Sequence, residues 1–167
     1  VTDIRIKEVV SLEAMTMDML LLPSGQLDTS EELATAIRVA LGTNGLANEE
    51  DVLPDPDSTD RQGWWGDYQA QEIWAGWAIG GRHWLLRRAK ITDGASAEGP
   101  TVQRARDYTV ECLQPFVDQK VITSFEVISI RPTVDRIYVT ARIFRGPKED
   151  IALCFQILWQ EMPAGGM

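Results

Sequence analysis

The stretch "RIYVTARIFR" (136–145) constrains the fold more than any other part of this chain. It alternates Ile137, Val139, Ala141 and Ile143 with Tyr138, Thr140 and Arg142. Side chains along a strand point to opposite faces in turn, so this pattern describes a strand with one buried face and one facing solvent. Gly146-Pro147-Lys148-Glu149-Asp150 then turns the chain, and "IALCFQILW" (151–159) returns. Two β-rich runs across a turn of this length predict an antiparallel hairpin. "VITSFEVISI" (121–130) is a strand by composition, so the last third reads as a three-stranded meander. Its apolar face has to be covered, and the cover must come from upstream.

Two segments qualify as covering helices. Thr29, with Glu32 three residues on, has the pattern of a capping box, and Leu33, Ile37, Ala40 and Leu41 follow as one apolar stripe that Gly42 closes. A longer helix is predicted over 101–119, with Val102, Ala105, Thr109, Cys112 or Leu113, and Phe116 spaced by threes and fours. Pro115 lacks an N–H and is expected to kink that helix or end it early. Residues 4–22 read as extended, with Met15, Met17, Met19 and Leu21 at period two, and Pro23-Ser24-Gly25 as a turn. The expected fold class is α+β: a small domain with two long helices packed on an antiparallel or mixed sheet, ending in a β-meander. At 167 residues one core suffices, so a single domain over 1–167 is expected.

The middle of the chain is less regular. Residues 43–63 are polar, acidic and proline-bearing ("ANEEDVLPDPDSTDRQG" at their end), and a connection that long inside a compact domain is functional or disordered. "YQAQEIWAGWAI" predicts a short helix with Trp74 and Trp77 on one face. Gly80-Gly81 breaks it, "RHWLLRRAK" (82–90) restarts as a short basic segment, and "DGASAEGP" (93–100) is a linker.

Several kinds of chemistry find little support. A net charge of −9 and a pI of about 4.6 weigh against nucleic acid or an anionic membrane as the main partner. One histidine, His83, and two distant cysteines, Cys112 and Cys154, give no zinc spacing, and the thiols read as buried and free. There is no phosphate-binding glycine loop and no nucleophile elbow. Glu49, Glu50, Asp51, Asp55, Asp57, Asp60, Asp67 and Glu72 offer carboxylates, but a run of acids in a polar loop is more simply a solvated surface than a glycosidase pair. The expectation is of no catalytic, cofactor or metal site. The apolar "MTMDMLLL" (15–22) follows charged residues, contains Asp18 and lacks a cleavage signal, so synthesis in the cytoplasm without a signal peptide is expected.

The feature left over is "DRQGWWGD" (60–67). Trp64 and Trp65 sit side by side between Gly63 and Gly66, and five of the six tryptophans crowd into the 21 residues from Trp64 to Trp84. Neighbouring side chains cannot point the same way, so if one tryptophan packs inward the other faces a second layer or a partner. Three readings stay open on the residues alone: a local minicore, a protein interface, or a platform for a sugar or other ligand.

"DRQGWWGD", followed by "GGRHWLLRRAK", resembles the gene product 46 family of Mu-like phage tails, whose members carry D-R-x-G-W-W-G-D and then G-S-R-x-W-L-L ending in lysine. The segments "GQL…EELATAIRVALGTN", "RARDYTVECLQPFVDQKVI" and "RIYVTARIFR" stand in the same order, so the resemblance covers roughly residues 20–160. Gly81 stands where serine is expected, and Trp74 and Trp77 are additions to the spacer. The resemblance implies a virion protein of the baseplate of a contractile phage tail or tail-derived bacteriocin, similar to the wedge proteins of the gene product 25 class once labelled tail lysozymes. It implies six copies around the hub, binding to larger wedge subunits and to hub or tube-associated proteins, and an edge on which tail sheath is started. A peptidoglycan-acting lysozyme or a sugar-binding module is the alternative. The interaction residues expected are Asp60, Arg61, Gly63, Trp64, Trp65, Gly66, Asp67, Arg82, Trp84 and Arg87, with strand 151–159 or segment 4–12 as the edge for sheath.

Overall fold

The structure, a computed structural model, describes residues 6–10, 15–19, 21–27, 32–73, 76–89, 99–133, 136–146 and 149–158. The N-terminal extended run is a hairpin. Strands β1 (Ile6–Val10) and β2 (Met15–Met19) pair antiparallel, with Ile6 opposite Met19 and Val10 opposite Met15. The turn expected at Pro23-Ser24-Gly25 is present: Gly25 takes φ +79°, and its N–H donates to Leu22 O at 2.8 Å.

Helix α1 (Glu32–Gly42) buries Leu33, Ile37 and Ala40 as its stripe predicts, and Leu41 is half-buried. Thr29, the expected cap, lies outside the described residues. Gly42 is the last helical residue but does not adopt positive φ. The stop comes from Thr43 instead, whose N–H and Oγ1 both donate to Val39 O at 3.0 and 2.7 Å. That occupies a carbonyl the helix end would otherwise leave without a partner.

A 3-10 turn over Trp65–Gln69 leads into the short helix α2 (Ala70–Ile73). The helix predicted to carry Trp74 and Trp77 on one face is therefore corrected. It ends at Ile73, and Gly76, at φ +84°, returns its N–H to Ala70 O. Trp77 lies beyond that turn and packs edge-on against Phe116, with ring centroids 4.7 Å apart. Trp74 lies outside the described residues, as does most of the linker predicted at 93–100.

Helix α3 (Pro100–Asp118) opens with a proline where no N–H is needed. Val102, Ala105, Thr109, Cys112, Leu113 and Phe116 are all buried, joined by Tyr108. Pro115 does not end the helix, which continues to Asp118. So close to the C-terminus the missing N–H removes a single intrahelical bond, and the Gln119 N–H still reaches Pro115 O at 2.9 Å. The chain leaves at Lys120, φ +60°, and the N–H groups of Val121 and Ile122 both return to Phe116 O. Those contacts delay the next strand, predicted from 121, to Ser124.

Strands β3 (Ser124–Thr133), β4 (Arg136–Phe144) and β5 (Glu149–Leu158) form the expected meander, in the order β3-β4-β5 and antiparallel throughout. Ile137, Val139, Ala141 and Ile143 are buried to 1% exposure or less beneath α3. Burying each of the larger three stabilises the fold by roughly 1.5–3 kcal/mol. Helix and sheet are also joined through Ser129 Oγ to Val102 O at 3.1 Å and Arg106 Nε to Val127 O at 3.2 Å. Helix α1 lies against α3, where the Cys112 thiol donates to Ala40 O at 3.3 Å. The second 3-10 turn, Arg82–Leu86, drives Trp84, Leu85 and Leu86 into the same core.

Candidate interaction site

The long acidic loop is held by backbone contacts that its sequence gives no hint of. Asn44 and Gly81 bridge in parallel, with Gly45 N–H donating to Gly81 O and Gly81 N–H to Thr43 O, each at 3.0 Å. The approach is so close that a Cβ built on Gly80 would stand 2.7 Å from Gly45 N, and one on Gly45 would stand 2.9 Å from Gly80 O. Trp84 seals the contact from below. Only 5% exposed, it donates its indole N–H to Gly45 O at 2.8 Å.

On the far side of the loop, Arg61 does the fastening. Its guanidinium donates to the carbonyls of Asn48 and Glu49, the latter at 2.8 Å, while its own carbonyl accepts Ala47 N–H. Asp60 Oδ1 accepts the Gln62 N–H at 2.8 Å, a local bond that holds Gln62 at φ +54°, and the Gln62 side chain accepts from Asn44 Nδ2 at 2.6 Å. The loop segment 44–49 thereby lies between the two halves of the predicted site. It joins residues 60–67 to residues 82–88.

Arg82 ties this assembly to α3. Its guanidinium meets Asp51 Oδ2 and Glu111 Oε2, each at 2.6 Å, and lies 5.0 Å above the Tyr108 ring. Burial raises the Asp51 pKa, but the Arg82 hydrogen bond and the Asn48 N–H outweigh it and hold the carboxyl below its usual range. Burial likewise lowers the Arg82 pKa, and the two carboxylates more than restore it. A carboxyl held ionised in this way is the reverse of a proton-donating glycosidase acid. Glu49, Glu50, Asp55, Asp57, Asp60 and Glu72 are exposed, and no group of three metal-ligating side chains gathers among the described residues.

Cys112 is buried beside this network, and His83 is half-buried there. The imidazole Nε2 is 2.8 Å from Thr109 Oγ1, and a Cβ on Gly81 would strike Nδ1 at 2.5 Å. Burial pushes the Cys112 thiol up to about 12, with Glu111 adding to it, so it is an inert free thiol as expected. The Cys154 side chain lies outside what is described. Burial pushes His83 down to about 4 from 6.5, against the opposing pull of the Ala105 carbonyl. The unfolded chain therefore binds a proton that the folded chain refuses between these values. Stability from this group is complete above 6.5 and is lost as pH falls toward 4. About 2 kcal/mol should disappear between about pH 7 and about pH 5, and His83→Gln should flatten that slope in urea titrations across the range.

The paired tryptophans have separate roles. Trp64 is half-buried, yet it does not join the main core. Its ring folds onto Gly66, where an added Cβ would lie 2.2 Å from the ring, so Gly66 leaves the space that the indole occupies. Gly63, at φ +104°, brings the chain against Leu46. Asp67 Oδ1 accepts the Ile79 N–H at 3.0 Å and anchors the following turn. Trp65 touches Trp64, with centroids 5.2 Å apart, and is otherwise turned outward at 84% exposure.

Residues 33–150 match the family described as Phage protein GP46. The chain belongs to the GP46 family. Baseplate protein gp46 of Escherichia phage Mu is 40% identical over 86 residues, which are 52% of this chain and 51% of that protein. The chain thus spans about half the length of this curated relative. The GP46 match takes in α1, the acidic loop, the tryptophan motif, α3, β3 and β4, and it leaves out the N-terminal hairpin and all but the start of β5.

Among the ten residues singled out by sequence, the fold draws two groups. Asp60, Arg61, Gly63, Gly66, Asp67, Arg82 and Trp84 are engaged in intrachain bonds or close packing, and Trp64 supports its neighbour. Trp65 and Arg87 are exposed, Arg87 at a cleft of about 280 Å³ lined also by Leu53, Pro54 and Trp84. Tyr68, 93% exposed, was not among the ten. Its spacing of three from Trp65 was the available signal, because residues three apart eclipse in a 3-10 helix.

Proposed function

We propose that this chain is a structural component of a phage-tail baseplate, in a contractile phage or a tail-derived particle. In this role it binds larger wedge subunits around the hub and offers a sheet edge to sheath. Membership of the GP46 family and the likeness to a Mu protein named for the baseplate support this reading. The observation that carries it is Trp65: a large apolar side chain fully presented to solvent by a loop fastened on three sides. Such an anchor loses little conformational freedom on docking, which is the usual character of an interface hot spot.

The edge for sheath is assigned to β5, one of the two strand positions expected from sequence. Of the two outer strands of the meander, β3 is obstructed. Arg106 occupies the Val127 carbonyl, Pro132 has no N–H to offer, and the register slips between Ile130 and Thr133. These are the devices by which natural sheets discourage strand addition. β5 lies at the opposite edge, where main-chain hydrogen bonding can extend the sheet.

Co-expression of the tagged chain with the tail proteins encoded beside it tests the proposal. A defined complex with a large tail protein is expected. Trp65→Ala should weaken that complex about tenfold or more, with the melting temperature essentially unchanged. Recovery of the chain alone, with every neighbouring tail protein present and soluble, would remove the baseplate reading.

A further inference from the structure

We infer that Trp65 and Tyr68 form a docking platform for a basic segment of a partner protein, one in which Lys or Arg side chains accompany an apolar anchor. The inference rests on the baseplate reading for the partner's identity but not for its chemistry. Trp65 and Tyr68 lie three apart in the 3-10 turn Trp65–Gln69, a spacing that puts both side chains on one side of the turn, and they are 84% and 93% exposed. The backbone beneath them is fastened through Asp67 to Ile79 and through the Trp64 ring on Gly66. The platform is therefore built before anything binds it.

Charge selects the occupant. Arg61, four residues before Trp65, holds the backbone of Asn48 and Glu49 and so ties the acidic run to the motif, and Glu72 follows the turn by a few residues. No described Lys or Arg pairs with Glu49, Glu50, Asp57 or Glu72. The one arginine within the motif is spent on backbone carbonyls. A formal net charge of −9 sets a second copy of this chain, a nucleic acid and an anionic lipid surface all against repulsion. A guanidinium or ammonium, by contrast, gains from the aromatic faces and from the surrounding carboxylates together.

The test uses the full chain and labelled peptides of equal length, one alternating Arg with Leu and one alternating Glu with Leu, followed by fluorescence anisotropy. The Arg–Leu peptide is expected to bind and the Glu–Leu peptide not to. Trp65→Ala and Tyr68→Ala should each weaken binding about tenfold. A Glu49→Gln, Glu50→Gln, Asp57→Asn triple variant should retain binding to a lesser degree and lose most of its salt dependence. All of these positions are exposed, and circular dichroism verifies that each variant is folded. Equal binding of the two peptides, or Arg–Leu binding that ignores both aromatic substitutions, overturns the platform. Binding that needs the rings but ignores salt and the triple variant overturns the basic partner. None of these titrations contains a tail protein, so they can fail while co-purification succeeds, and the reverse.

Discussion

Gly80→Ala is expected to destabilise the protein by about 3 kcal/mol or more, a large loss for one methyl group. Two causes add. At φ +119° an L-residue is strained, at roughly 1 kcal/mol. The new Cβ also meets Gly45 N at 2.7 Å and Thr43 O at 2.8 Å, backbone atoms with no side-chain rotamer to yield. Two controls separate the causes. Gly146→Ala imposes the same kind of φ (+99°) with nothing within 4 Å, and should cost about 1 kcal/mol. Gly45→Ala, at ordinary φ but 2.9 Å from Gly80 O, carries only the overlap, about 1–3 kcal/mol. Urea unfolding of the three variants measures the set. If Gly80→Ala cost no more than Gly146→Ala, the two loops would not be in the contact described. Because this contact holds the acidic loop, Gly80→Ala should also weaken the docking proposed at Trp65.

Arg82→Met should remove about 2 kcal/mol at neutral pH, although it preserves most of the buried stem. The reason is what it leaves behind: Asp51, whose side chain is only 18% exposed, and Glu111 would face each other without the cation between them. Glu111 is half-exposed, and water screens its share, which keeps the effect below that of a fully buried pair. The pH dependence identifies the mechanism. With Arg82 present, Asp51 titrates below 3.8, so its contribution is whole above that value and is lost as pH falls beneath it. The difference between Arg82→Met and the parent chain should therefore be largest near neutrality and shrink on acidification below about pH 4. His83 acts in a higher window, between 6.5 and about 4, so the two are resolved in one titration. Arg82→Lys retains charge but cannot reach two carboxylates with a planar fork, and should recover only part of the loss. A cost that stayed constant across pH would assign Arg82 a packing role alone.

How much of this could be read beforehand follows the reach of each interaction. The meander and the buried faces of α1 and α3 were legible because their signals repeat every two or every three to four residues. Strand β3 begins three residues later than its composition suggests, since Val121 and Ile122 are held by the end of α3. Pro115 stands in the last helical turn, where a proline costs one bond and not the helix. The Trp74–Trp77 helix failed because a glycine at positive φ outranked apolar spacing. The unusual residues of the motif were legible, but which of them are bound within the chain and which stay exposed was not.

Sequence by itself determined where local physics is sufficient: the α+β class, the strand faces, the long helix stripe, and a tryptophan motif specific enough to place the chain in the GP46 family. Only the tertiary structure decided which side chains of that motif are free. Arg82 looked available, yet its partners stand 31 and 29 positions away. Trp84 looked like Trp65, yet a carbonyl 39 positions upstream takes its indole N–H into the core. Trp65 faces solvent while Trp64 folds back over Gly66, which has no side chain in the way. An exposed and a buried tryptophan have the same composition; what separates them is which distant backbone closes over one and leaves the other uncovered.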